Sequence, residues 1–314
     1  MSEQTLLASI DRTKCVKCGA CKKDCPARAV EKDEAGNYSI RADFCIGCCH
    51  CACTCPAEAV VVERDGDRVV LEAWSPPALD PATSRAFLAG RRSIRQYKPD
   101  PVPRAVLDDL FSVASLTGTA SNLQDWHAVV LKGDAVAYLR EKVMAAFAKL
   151  HSLGKRRVVR GLARLVPSLR RQLEDPAVFE KLEALLDAWR GGADPLFYGA
   201  PVVVLFTSDK HNPFGRTNNV LAGAAATYQA QSHGLGSCFV GFAEIYLKLA
   251  KRVRRKLGVP KNHEVNLVFT LGYQDVKYLR LPARKRVPVV EVTDVAPGRG
   301  AARTGYKAGG REAG

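Results

Sequence analysis

An α+β fold is predicted, with a small cysteine-rich module placed ahead of a larger mixed domain. Three observations lead there. Ten of the eleven cysteines fall between Cys15 and Cys55. Beyond the proline-rich stretch Trp74–Pro81, short β-branched runs alternate with stretches of helical period. Charge changes with composition: residues 1–75 carry ten Lys/Arg and twelve Asp/Glu, a net −2, and residues 76–314 carry the other +17 of the net +15.

A length of 314 residues suits two domains. With 47% hydrophobic and 25% charged residues, a wholly disordered or fibrous chain is excluded. The longest apolar runs, such as Pro201–Phe206, fall far short of the roughly 20 residues a bilayer span needs. The first residues, MSEQTLLASIDRTK, lack an apolar core followed by a small-residue cleavage site, so a cytoplasmic protein is expected. The expected organisation is a module at 1–75, a stiff linker at 76–86, a main domain at 87–295 with a basic insertion at 151–190, and a disordered Gly/Ala/Arg-rich tail at 296–314.

Within the module, Cys15, Cys18, Cys21 and Cys25 followed by Pro26 spell C-x2-C-x2-C-x3-C-P, and Cys45, Cys48, Cys51 and Cys55 followed by Pro56 spell it again. This is the bacterial ferredoxin run, in which the fourth cysteine ligates the other cluster. One [4Fe-4S] centre is therefore assigned Cys15, Cys18, Cys21 and Cys55, and the second Cys45, Cys48, Cys51 and Cys25. Zinc is the alternative, but zinc sites pair two C-x2-C units across a longer gap. Cys49 and Cys53 miss the spacing and read as spare small residues. Tyr38–Arg41 and Val60–Glu63 read as short strands beside the clusters. Without iron so short a segment has too little core to fold.

In the main domain, Val106, Leu107, Leu110, Phe111, Val113 and Ala114 mark an amphipathic helix after Pro103. Strand-like runs lie at Ala128–Leu131, Pro201–Phe206 and Val265–Leu271, and helical stretches near Ala135–Leu150, Val220–Ser232 and Ile245–Leu257. Neither G-x-G-x-x-G nor G-x-x-x-x-G-K-[ST] occurs, so a Rossmann dinucleotide site and a P-loop are not expected. Instead Arg91-Arg92-Ser93-Ile94-Arg95 gathers a hydroxyl and three guanidinium groups, a set suited to a phosphate.

Taken with Ser121-Asn122-Leu123-Gln124-Asp125-Trp126, Ala200–Val204, Gly234-Leu235-Gly236-Ser237, Leu271-Gly272-Tyr273 and Arg284-Lys285-Arg286, that cluster resembles the nitroreductase family of flavin mononucleotide (FMN) enzymes over residues 87–290. The resemblance implies an α+β homodimer with FMN at the subunit interface. It implies that Arg91 and Ser93, with Arg92 beside them, hold the FMN phosphate, and that Arg95 faces the pyrimidine edge of the ring. Ser121, Asn122 and Gln124 would contact ring or ribityl chain. Gly234, Leu235 and Gly236 would offer backbone contacts, and Arg284 or Arg286 would complete the clamp. Asp125 stands where the family commonly has proline, which makes the pocket there an expected point of difference. Joined to the cysteine module, the chain resembles a ferredoxin-fused branch of that family.

The expected function is an FMN oxidoreductase that exchanges electrons between [4Fe-4S] clusters and a flavin acting on a small organic substrate, such as a nitroaromatic or quinone. No catalytic side chain is assigned, because the cofactor carries the chemistry. A non-enzymatic electron-transfer module and a specialised flavin dehydrogenase of one metabolite stay open as alternatives. So do NAD(P)H and a ferredoxin-type protein as donors. Residues 151–173 carry seven Lys/Arg and no acid, with apolar residues at helical spacing bent at Pro167. That segment reads as a packed amphipathic helix or as a lid attracting an acidic substrate or donor; a membrane surface is disfavoured and nucleic acid is not expected. Cys238 reads as a buried small residue, and the histidines show no metal spacing.

Overall fold

The computed structural model describes residues 6–154 and 176–292. The chain divides into two units, Met1–Tyr278 and Leu279–Gly314. Most of the basic segment 151–173 and the whole tail 296–314 lie outside the described residues. In the second unit, residues 279–292 form neither helix nor strand, and Arg284 and Arg286 are exposed.

The cysteine module pairs β1 (Leu6–Ile10) antiparallel with β4 (Val60–Arg64), which carries β5 (Asp67–Arg68) on its other edge; β2 (Val30–Lys32) and β3 (Tyr38–Ile40) form a hairpin. Two one-turn helices, α1 (Ala20–Lys23) and α2 (His50–Cys53), sit at equivalent places in the repeat. Residues 69–80 carry no regular element. Helix α3 (Pro81–Gly90) then begins inside the stretch expected to be linker. Its start is well built: the Asp80 carboxylate accepts the N–H groups of Ala82 and Thr83 at 2.9 and 3.0 Å, and Pro81 supplies a fixed φ at the first position. The prolines that read as linker thus end in a helix start.

The main domain is a four-stranded antiparallel sheet in the order β6 (His127–Lys132), β7 (Val202–Asp209), β9 (His263–Tyr273), β8 (Leu235–Phe239). Both central strands are covered on both faces, which is why their sequence runs apolar without alternation. On one face Val203, Leu205 and Val268 meet α5 (Asp134–Gly154), α6 (Pro176–Arg190), α8 (Gly241–Leu249) and α9 (Lys251–Lys256). On the other, Val202, Val204, Phe206, Phe269 and Leu271 meet α4 (Arg104–Ala114) and α7 (Gly215–Ser232). Register shifts between Phe206 and Thr207, which face Leu267 and Val265, so Asn266 is the extra residue of a bulge. Val265 and Leu267, two apart, consequently serve opposite cores.

Helix α4 buries Leu107, Leu110 and Ala114, the spacing of a single helical face. Helix α7 buries Ala222, Gly223, Ala226, Thr227 and Ala230 instead. These small residues let its backbone lie close to the sheet: a Cβ on Gly223 would fall 2.1 Å from Leu267 Cδ2. The stretch Ile245–Leu257, expected as one helix, is divided at Ala250 into α8 and α9. In the segment Gly234–Ser237 only Gly234 is a turn (φ +70°); from Leu235 it is strand β8.

Candidate functional site

The fold brings the cysteines together as two sets of four. Cys15, Cys18, Cys21 and Cys55 line one small cavity, closed by Ile10, Tyr38 and Val60. Cys25, Cys45, Cys48 and Cys51 line a second, closed by Val30, Ile40 and Val62, with Cys49 on its wall. Each set takes three thiols from one half of the repeat and the fourth from the other half. Both fourth cysteines are held alike: Ala29 N–H points at Cys25 Sγ at 3.2 Å, and Ala59 N–H at Cys55 Sγ at 3.3 Å. All eleven cysteines are free thiols.

Each loop wraps its cavity by entering the left-handed region, at Lys17 and Gly19 (φ +58° and +77°) and again at Gly47 and Cys49 (both +62°). Gly19 has no room for a side chain, since a Cβ would meet Tyr38 Oη at 2.7 Å. Burial, reinforced by Cys45, pushes the Cys51 thiol up to about 12, and burial raises Cys21 and Cys49 as well. Bare thiolates packed this way repel one another and lack solvation; positively charged iron removes that penalty. Among the described residues no three Cys, His or carboxylate groups converge as a single ion would require. The thiols ring a space, and a cube with metal at its corners suits that arrangement better than one central ion.

A second polar site forms where the segment after α3 joins the sheet. Ser93 bridges Ser237 in parallel, and Ile94 N–H donates to Ser237 O at 2.9 Å. That pairing brings Arg91 and Arg92 to Gly234, Leu235, Gly236 and Ser237 around a cavity of about 230 Å³. The strands approach so closely that a Cβ on Gly236 would fall 2.6–2.8 Å from three atoms of Ile94. Arg91 lines this cavity; its Nη1 is buried without a hydrogen-bond partner, and its guanidinium lies 5.4 Å from the centre of the Phe239 ring. A buried cationic donor left unpaired is costly. A phosphate oxygen in the cavity would satisfy it, so these residues fit the group that the sequence motif suggests.

Arg92 is engaged differently. Its Nη1 donates to Ala89 O at 2.6 Å, capping the end of α3. Arg95 is exposed, with its guanidinium over the Tyr198 ring at 5.6 Å, and a hydrogen bond with Tyr198 holds it above the ordinary arginine range. Cys238 lies beside Arg95 and Ser93, and burial pushes its thiol up, as suits a small buried residue. Gln231 and Gln274 also line the cavity. No motif marks either glutamine; the one hint is that Gln231 sits three residues before the Gly234 turn.

Ser121, Asn122 and Gln124 do not line this cavity. They form a separate loop after α4, all at positive φ (+53°, +54°, +48°), strain that a fold retains where the loop has a task. Gln124 Nε2 donates to Asn122 Oδ1 at 3.0 Å, and Asn122 Nδ2 donates to Ile46 O at 3.1 Å, in the loop between Cys45 and Cys48. Asp125 turns toward α7, where its carboxylate accepts from Asn212 Nδ2 at 2.6 Å and Asn218 Nδ2 at 3.2 Å. The carboxylate in place of proline therefore fastens the loop to the helix. Arg284 and Arg286 belong to the second unit.

A model of the nitroreductase family matches residues 88–273, more than half of the chain, and a model of a 4Fe-4S dicluster domain matches residues 7–56. Nitroreductase NfnB of Mycolicibacterium smegmatis is 29% identical over 227 residues, covering 66% of this chain and 91% of the relative. A 4-nitrobenzoate reductase of Pseudomonas putida is 27% identical over 214 residues, covering 63% and 89%. Among solved structures, a nitroreductase with bound FMN from Desulfitobacterium hafniense is 19% identical, with a TM-score of 0.49 over 66% of this chain and 98% of that one. No described helix is long and apolar enough to cross a membrane. The chain belongs to the nitroreductase family of oxidoreductases and carries a 4Fe-4S dicluster domain ahead of the family's α+β fold.

Proposed function

We propose that the chain is an FMN-dependent oxidoreductase in which two [4Fe-4S] clusters pass electrons to a flavin that reduces a small organic substrate, such as a nitroaromatic or quinone. The observation that carries this reading is Arg91, which lines a polar cavity beside Gly236 and whose Nη1 is buried and unpartnered. FMN, when bound, takes up electrons singly and delivers them in pairs. Arg91, with Arg92, Ser93 and the backbone of Gly234–Gly236, holds the phosphate end, and Arg95 lends positive charge to the ring. Cys15, Cys18, Cys21 and Cys55 hold one cluster, and Cys25, Cys45, Cys48 and Cys51 the other.

Because Ser121, Asn122 and Gln124 stand apart from the cavity of their own chain, the complete flavin site is assigned to a homodimer, with this loop available to the partner. Exposed apolar side chains support self-association: Leu116, Leu123, Leu221, Phe242, Ile245 and Leu249 are all about half exposed or more. The cluster module favours a one-electron carrier protein as donor over NAD(P)H, since hydride delivery needs no one-electron centres. Anaerobic purification tests the assignment: about eight irons per chain follow from two four-iron clusters, together with FMN. Zinc in place of iron, or FAD in place of FMN, would overturn it.

A further inference from the structure

The two halves of the cysteine module share a backbone but not a surface. The thirty-residue repeat aligns Arg12, Lys14, Lys17, Lys22 and Lys23 with Ala42, Phe44, Gly47, Ala52 and Cys53, so each of these cations has an uncharged counterpart. Exposure divides the same way. Val16 is 65% exposed and Lys17 and Cys18 are exposed, whereas Ile46 and Cys48 are half-buried and Gly47 is buried. The second half is the one that meets the flavin domain, through the hydrogen bond from Asn122 to Ile46 O.

From this asymmetry we propose that the two centres work in a fixed order. The Cys15/Cys18/Cys21/Cys55 centre is the port at which a one-electron carrier protein docks. The Cys25/Cys45/Cys48/Cys51 centre is the relay that hands electrons on at the Ile46–Asn122 contact, with Asn122 as a positioning residue. The inference rests on the cluster and flavin reading above and adds direction and partner to it.

The carrier is one with an acidic surface around its own redox centre. Five exposed cations lie within seven residues of the exposed Val16 in the sequence. Residues 11–24 hold two acids beside them: Asp11, bonded to Thr13, and Asp24, 3.8 Å from His50. That stretch carries +3 where its counterpart, residues 41–54, carries 0, on a chain of net charge +15 that steers acidic partners from a distance. Apolar contact at Val16 then supplies the short-range part. At each transfer one reduced cluster of the carrier surrenders one electron and is left oxidised. Two such transfers through port and relay provide the electron pair for a two-electron reduction of the substrate, whose two protons come from water.

The test uses the full-length holoprotein and a prereduced bacterial two-[4Fe-4S] ferredoxin freed of excess reductant. Freeze-quenched samples are read by EPR for reduced clusters and by absorbance for the flavin. Cys48→Ser is expected to leave rapid reduction of the remaining cluster and to slow flavin reduction at least tenfold. Cys18→Ser should slow both at least tenfold. Val16→Glu, with iron content unchanged, should raise the KM for ferredoxin at least fivefold and leave kcat within twofold. A swapped pattern between the two cysteine variants overturns the order, and an unchanged KM in Val16→Glu overturns the port. If the cysteine variants lose the whole module, Val16→Glu decides alone. Parent-rate flavin reduction in Cys48→Ser and Cys18→Ser alike would mean that the cluster wire itself, not its direction, is wrong.

Discussion

Replacing Arg91 with alanine removes a side chain that lines the polar cavity and whose Nη1 is buried with nothing to bond. The two states of the protein should respond in opposite senses. With FMN bound, the variant loses a charged hydrogen bond to phosphate, worth roughly 1.5–3 kcal/mol, or about a 10- to 150-fold weaker Kd. Without FMN, deletion also relieves an unpaired buried donor, a gain of about 1–3 kcal/mol that offsets the lost packing of the side-chain stem against Phe239. The flavin-free variant should therefore unfold at nearly the parental urea concentration while holding FMN far less tightly. Equilibrium dialysis with flavin fluorescence, at one fixed ionic strength, measures the first quantity, and urea unfolding of the flavin-free protein measures the second. Arg104→Ala, on an exposed side chain paired with Asp108, is the control for general loss of positive charge. A Kd within threefold of the parent, or a large loss of apo stability with binding intact, would refute Arg91 as the phosphate ligand.

Gly236→Ala drives a Cβ into Ile94 and should cost about 1–3 kcal/mol of stability and lower flavin retention, both partly restored by adding Ile94→Ala; denaturation and flavin content on gel filtration read the effect. Asp125→Ala leaves the buried Asn218 amide without its acceptor and should lower stability by about 1–3 kcal/mol, measured by urea unfolding. His263 has its pKa lowered from 6.5 by burial and by His127. The unfolded chain thus takes up a proton before the native one does, so stability is present in full above 6.5 and declines as the pH falls from there to the lower native pKa. Melting temperatures between pH 8 and pH 5 should show that decline, and His263→Gln should flatten it.

The parts legible in sequence were those whose information is local. Thiol spacing placed eight cysteines in two groups because the loop that wraps each cavity is set by the residues between them. The runs at Ala128–Leu131, Pro201–Phe206 and Val265–Leu271 read as strands because buried strands need β-branched and aromatic side chains throughout. Strand β8 was hidden because Gly-Leu-Gly-Ser has turn composition; its glycine is demanded by Ile94, 142 positions earlier in the chain. Arg92 lines the cavity like its neighbours, yet its Nη1 also caps α3, a use that the local motif does not reveal. Asn122 touches the cysteine module across 76 residues of chain, a proximity that no local pattern encodes. The Asn266 bulge escaped for a related reason: the sequence of a strand buried on both faces does not reveal on which face each side chain lies.

The shared backbone of the two cysteine loops hides unequal freedom to change. Position 19 is tied to glycine by Tyr38, which crowds it at 2.7 Å while φ stands at +77°. Its counterpart 30 residues on has the same left-handed backbone but already carries a cysteine side chain, and the residue aligned with Tyr38 is Arg68, at the sheet edge. If the module arose by doubling of a shorter ancestral peptide, the second copy was released from the constraint that the first still obeys. Cys49 then records drift at a site where only backbone strain opposes a side chain, and Gly19 records the tyrosine that stops the same drift.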